Sequence, residues 1–183
     1  MSSAQSFRDG LLAAVPTLRA FAVSLAKNTD RADDLVQETL VKAWDKQDSF
    51  QQGTNLKAWL FTILRNEFYS QMRKRKREVE DSDGAITARL SVHPSQDGSS
   101  DLTDFRKALA LLPEDQREAI ILIGASGFSY EEAAEICGCA VGTIKSRVSR
   151  ARSRLADILG IEGENDFGPD AIAVQVTNSP AVA

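Results

Sequence analysis

The stretch 112–159 constrains this chain most. It holds three amphipathic segments separated by two short breaks, Gly127-Phe128-Ser129 and Gly138-Cys139-Ala140. In the last segment, Val141, Ile144, Val148, Ala151, Leu155 and Ile158 recur at spacings of three and four, which draws one apolar stripe along a helix. The other side carries Thr143, Ser146, Arg147, Ser149, Arg150, Ser153 and Arg154. Before it, Ser129 and Glu132 have the spacing of a capping box and open a short helix over 131–136. A short helix, a glycine-containing turn and a second, basic helix make a helix-turn-helix, which lays its second helix in a DNA major groove.

The chain ahead of this motif also reads as helix. An apolar pattern over 6–27 (Phe7, Leu11, Leu12, Val15, Leu18, Phe21, Ala22, Leu25) is interrupted by Pro16, which is expected to start a second helix at its first position. Asp30 is the expected N-cap of a helix over 31–47, with Leu35, Val36, Leu40, Ala43 and Trp44 on its buried face. Its opposite face is Asp34, Gln37, Glu38, Val41 and Asp45. That pattern fits a solvated acidic face. However, Val41 sits among the acids and no lysine alternates with them, so a docking face is the sharper alternative. After a loop at 50–55, Thr54 or Asn55 caps a helix over 56–77, with Leu56, Trp59, Leu60, Ile63, Leu64 and Phe68 as its core stripe. Its other side presents Thr62, Arg65, Asn66, Tyr69 and Arg73, then the basic run 73–77. Cations for phosphates, amides for base edges and a ring for stacking suit nucleic acid, although a solvated face has the same composition.

The expected organisation is an all-α chain of two small helical domains, 6–77 and 101–160, joined by a flexible acidic linker at 78–100 and followed by a disordered tail at 161–183. In the second domain a helix over 102–111 precedes Pro113, which starts the next helix, and Gly160 caps the last one. The net charge of −4 is unusual for a DNA binder, but the charges are segregated. Residues 141–155 contain five Lys/Arg and no acid, while acids gather in 30–48, 78–104 and 162–170. Such segregation suits several surfaces with different partners.

The composition also excludes classes. His93 is the only histidine, so there is no histidine triad and no multi-histidine metal site. Cys137 and Cys139 are expected to be small buried or half-buried residues, since no further ligand completes a metal set. Trp44 and Trp59 are expected in the core rather than as base-stacking platforms. No stretch is expected to span a membrane, no catalytic residue is identified, and no cofactor is implied.

Four blocks in this order, ADDLVQETLVKAW (32–44), NLKAWLFTILRNEF (55–68), LPEDQREAIIL (112–122) and SYEEAAEICGCAVGTIKSRVSRAR (129–152), resemble bacterial RNA polymerase sigma factors of the extracytoplasmic-function (ECF) group. These keep only the second and fourth conserved regions of the sigma-70 family. The wording of 121–152 further resembles the EcfG-type general-stress factors. The resemblance implies that Asp34, Gln37, Glu38 and Val41 dock on the β′ clamp helices of core polymerase, and that the second domain meets the β flap. It implies that Thr54, Asn55, Arg65, Asn66, Tyr69, Ser70 and Arg73 melt and read the −10 element. Lys145, Ser146, Ser149 and Arg150 match positions that read −35 base edges, and Thr143 and Arg147 match phosphate-facing ones. Ser149 is shorter than the side chain some members carry there. A cytoplasmic protein held by an anti-sigma factor follows, itself relieved by a response regulator with a sigma-like domain. Two competitors are a sigma-like mimic that binds the anti-sigma factor without promoter DNA, and an ordinary helix-turn-helix regulator.

Overall fold

The structure is a computed structural model that describes residues 3–81 and 100–160. Among these residues it is all-α. Seven helices follow one another: α1 (Ser3–Ala26), α2 (Thr29–Asp45), α3 (Leu56–Asp81), α4 (Ser100–Leu111), α5 (Glu114–Gly124), α6 (Tyr130–Cys137) and α7 (Val141–Leu159). A single 3-10 turn, Gln47–Ser49, lies between α2 and α3. Most of the expected linker and all of the tail fall outside the described residues.

The helix ends follow local chemistry. At the start of α2 the cap is Asn28, whose side chain accepts from the Arg31 N–H at 2.9 Å, rather than the expected Asp30. Asp30 lies in the first turn instead, where an acid meets the positive end of the helix dipole. Asn55 caps α3, accepting from the Ala58 N–H at 3.2 Å. That helix runs four residues beyond the expected 77. Ser129 and Glu132 form the expected capping box on α6. Gly138 ends α6 at φ 63, in the left-handed region where glycine has no Cβ to clash, and this allows the sharp turn into α7.

Pro16 does not start a new helix. It lies inside α1, which stays continuous. Leu12 and Pro16 are both exposed, so water meets the carbonyl that proline leaves without an N–H. Over Gln5–Ala26, α1 is long and apolar enough to cross a membrane by length and composition, contrary to the sequence expectation. In this fold its apolar side (Leu11, Leu18, Phe21, Ala22 and Leu25) is buried against other helices.

The larger departure concerns the core. The two helical units predicted as separate share one apolar cluster, running from Leu18 and Phe21 of α1 through Leu60, Phe61 and Leu64 of α3 to Leu122, Phe128, Ile136 and Ile144. Phe61 is its hinge. It stacks on Phe21 at 4.8 Å between centroids and meets Phe128 edge-on, also at 4.8 Å. Phe61 is absent from the predicted stripe because α3 is covered on two sides. One side faces α1 and α2, and the other faces α6. At Gly10 a Cβ would stand 2.6 Å from a Leu56 methyl, so a larger residue there would make the half-buried Leu56 side chain shift where α1 meets the start of α3. A smaller cluster, Ala108, Leu112, Ala151 and Leu155, holds α4 against α7.

Candidate nucleic-acid interface

α7 buries Ile144, Val148, Ala151 and Leu155, most of the predicted stripe. Val141 is half-buried and Ile158 is exposed. This orientation turns Lys145, Ser149 and Arg150 to solvent, with Thr143, Ser146 and Arg147 half-buried at the edge. No acid lies in the first turn of the helix. Arg150 folds back along its own helix, donating to the Ser146 hydroxyl at 3.2 Å and the Ser146 carbonyl at 3.3 Å. Lys145 sits 5.8 Å from the Tyr130 ring centroid. Arg147 pairs with Asp115 of α5 at 3.2 Å, on a half-exposed edge. Groups held by such weak local partners are free to exchange them for base edges and phosphates.

The second basic face is divided. Thr54, Asn66, Ser70 and Arg73 are exposed. Thr54 closes its loop by donating its hydroxyl to the Gln51 carbonyl at 2.7 Å. Phe7, Phe50 and Trp59 form an aromatic trio with centroids 5.3–6.3 Å apart, which anchors the loop to α1 and α3. Trp59 is therefore half-buried, and an open cavity of about 730 Å³ lies beside the loop, lined by Phe7, Asp48, Phe50, Gly53 and Thr54 among others. The other −10 candidates have partners on α5 and α6: Arg65 and Tyr69 are half-buried, and Asn55 is exposed. Arg65 donates to Glu118 of α5 at 2.7 Å, and the Tyr69 hydroxyl donates to the same carboxylate at 3.3 Å. The guanidinium lies 4.6 Å from the Tyr69 ring centroid. Asn55 donates to Glu132 of α6 at 2.6 Å while capping α3.

Burial sets the electrostatics here. Glu118 has no exposed surface, and burial pushes its carboxyl above the usual range although Arg65 and Tyr69 pull it down. Burial also raises the Tyr69 hydroxyl, and the Glu118 carboxylate raises it further. Beside them, burial lifts the Cys137 thiol to about 12, so it is an inert thiol rather than a nucleophile. Cys139 is half-buried, as the sequence reading expects.

The third face is on α2. Asp34, Gln37, Glu38 and Val41 are all exposed. Trp44 was predicted in the core but is 46% exposed beside Val41, which is 60% exposed. At a helical spacing of three, Trp44 extends the apolar part of this acidic face. Behind it, Gln71 donates to Glu38 at 2.8 Å and to Glu67 at 3.2 Å, and Lys42 pairs with Glu67. Burial would raise the Glu67 carboxyl, but the bonds from Lys42 and Gln71 outweigh it and hold the group low.

Glu118 and Glu132 were not predicted as site residues. A signal for Glu118 existed, since it occupies the core register of α5 one turn from Leu122. Arg117 has the same signature. It is buried, donates to the Ser24 carbonyl at 2.8 Å and the Leu112 carbonyl at 3.0 Å, and so ties α5 to α1.

Comparisons with known proteins identify the two helical units. Residues 12–78 match the family "Sigma-70 region 2" and residues 102–155 match "Sigma-70, region 4". The chain is 64% identical over 170 residues to the ECF RNA polymerase sigma factor EcfG of Rhodopseudomonas palustris (strain TIE-1), covering 93% of this chain and 94% of that one. To the ECF sigma factor SigC of Mycobacterium tuberculosis it is 36% identical over 134 residues, covering 73% and 72%. The structure of the sigma factor RpoE in complex with the anti-sigma factor NepR from Bartonella quintana matches with a TM-score of 0.78 at 67% identity, over 87% of this chain and 99% of that one. Both conserved regions, present in order, therefore make this chain a member of the ECF RNA polymerase sigma factors of the sigma-70 family, of the EcfG type, a non-catalytic initiation factor.

Proposed function

We propose that this sigma factor reads promoters with two faces while a third holds it on core polymerase. Residues 101–160 form the −35 reader. Lys145, Ser146, Ser149 and Arg150 meet base edges in the major groove, and Thr143 and Arg147 meet phosphates. Residues 6–77 form the −10 reader and the polymerase anchor, with 78–100 as the linker. Thr54, Asn55, Arg65, Asn66, Tyr69, Ser70 and Arg73 take the unpaired non-template strand, where a ring and a guanidinium suit splayed bases. Asp34, Gln37, Glu38 and Val41, with Trp44, dock on the β′ clamp helices, and the second unit meets the β flap. The observation that carries this reading is the free basic face of α7, whose Lys145 and Arg150 project beyond a buried apolar stripe.

The factor works in the cytoplasm as a general-stress initiation factor. Its regulator is a small anti-sigma protein of the NepR kind, since the RpoE relative from Bartonella quintana is bound to NepR. Run-off transcription on a promoter library tests the reading. The chain with core enzyme should start from a discrete promoter class with separate −35 and −10 motifs, while the chain alone binds those duplexes weakly. A holoenzyme indifferent to the −35 motif would refute the α7 assignment.

A further inference from the structure

Four side chains cross-link α2 to α3 behind the docking face. Glu38 and Lys42 stand one turn apart on α2, and Glu67 and Gln71 stand one turn apart on α3. Lys42 pairs with Glu67, so the inner, half-buried acid has a counter-ion. The outer acid, Glu38, is held by an amide: the half-buried Gln71 donates to it at 2.8 Å and to Glu67 at 3.2 Å. The Glu38 and Glu67 carboxyls also meet each other. Two carboxylates at such range repel, and the donors of Gln71 and Lys42 offset that repulsion. Glu38 itself stays exposed, one turn from Val41.

The chemistry at 71 is selective. A lysine there would hold both acids too, but it would neutralise the outer one. Glutamine fixes a direction and adds no charge. A loose glutamate side chain loses rotamer freedom when it binds, and one that is already held loses less. We infer that Gln71 is a positioning residue for polymerase docking, which orients Glu38 on the exposed face of α2 while leaving its negative charge intact. This rests on the assignment of Glu38 to the clamp contact. The docking face is then carried by α2 but aligned from α3, by a residue that lies between Ser70 and Arg73 of the −10 reader.

The test uses the full chain and core enzyme, with equilibrium titration and stopped-flow association over a range of salt. Gln71→Ala should weaken core binding between about twofold and tenfold, the range for one side chain that must be ordered on binding. The salt dependence of its association should match the wild type, because no charge has changed. In a Glu38→Ala background, Gln71→Ala should cost nothing further, since a positioning residue acts only through the group it holds. An equal loss in both backgrounds makes Gln71 a packing residue and overturns the inference. So does a salt dependence that changes with Gln71→Ala, or full-strength binding by Gln71→Ala when Glu38→Ala alone weakens it. If Glu38→Ala binds core enzyme like the wild type, the docking assignment of Glu38 fails first and the role of Gln71 falls with it. Alanine favours helix, so helix content should hold. If circular dichroism shows that it does not, Gln71→Met repeats the comparison with an unbranched side chain that has no donor.

Discussion

The basic faces of α7 and α3 are built from the same residue types and differ in what lies opposite. Arg147 on α7 meets Asp115, with side chains 22% and 47% exposed. Arg65 on α3 meets Glu118, at 19% and 1%. The first pair is screened by water and exchanges its partner readily. The second has been taken out of water, and neither member is tolerated there alone. Burial of the counter-ion, rather than the number of cations, therefore decides which face is open to exchange its partners.

That difference has a measurable size. Glu118→Ala leaves the Arg65 charge half-buried without its partner and should destabilise the chain by about 3 kcal/mol, whereas Asp115→Ala should cost less than about 1 kcal/mol. Urea unfolding followed by circular dichroism compares the two. Equal losses would erase the distinction between the faces. Arg150→Ala addresses the open face alone. It should weaken binding of the holoenzyme to the −35 duplex by about 1–3 kcal/mol and relax sequence preference there. Unchanged preference would mean that another side of α7 enters the groove. Trp44→Ala should weaken core-enzyme binding by about 1–2 kcal/mol, the range for an aromatic anchor in an interface. If titration against core enzyme shows no loss, Trp44 is simply an exposed ring.

Much of this was legible from residue patterns. The helix-turn-helix follows from the 3–4 spacing in 141–159 and the Ser129/Glu132 pair, and the helices formed within a few residues of expectation. The acidic α2 face and the family were legible too, because motif order survives in sequence. Long-range packing was not. Periodicity names the stripe a helix buries, but α3 buries two sides, so Phe61 was missed and Arg65 and Tyr69 were read as uniformly open. Trp44 failed for the converse reason. A large ring at a core-compatible position was assigned inward, and the fold leaves it beside Val41. Pro16 failed because its penalty depends on whether its helix face meets water, which sequence does not record.

The smallest effect separates charge from hydrogen bonding at the contact between Asn55 and Glu132. Hydrogen bonds from the Ser129 backbone first, and then from Asn55, hold the Glu132 carboxyl below its ordinary range. A folded pKa that is depressed contributes stability above the unfolded value, near pH 4, and loses it as pH falls through the folded value. Glu118 acts in the opposite sense, because burial raises its pKa and its contribution fades as pH rises. The bulk pH curve mixes the two, so the informative quantity is the difference between wild type and Glu132→Gln. Solvent screening at this partly exposed site limits that difference to about 0.5 kcal/mol at pH 7. It should start to shrink as pH falls below about 4 and vanish only below the depressed folded value, where the Glu132 carboxyl is protonated too. A difference that does not change with pH would assign the contact to hydrogen-bond geometry. In that case Glu118 alone would supply the charge that distinguishes the closed face from the open one.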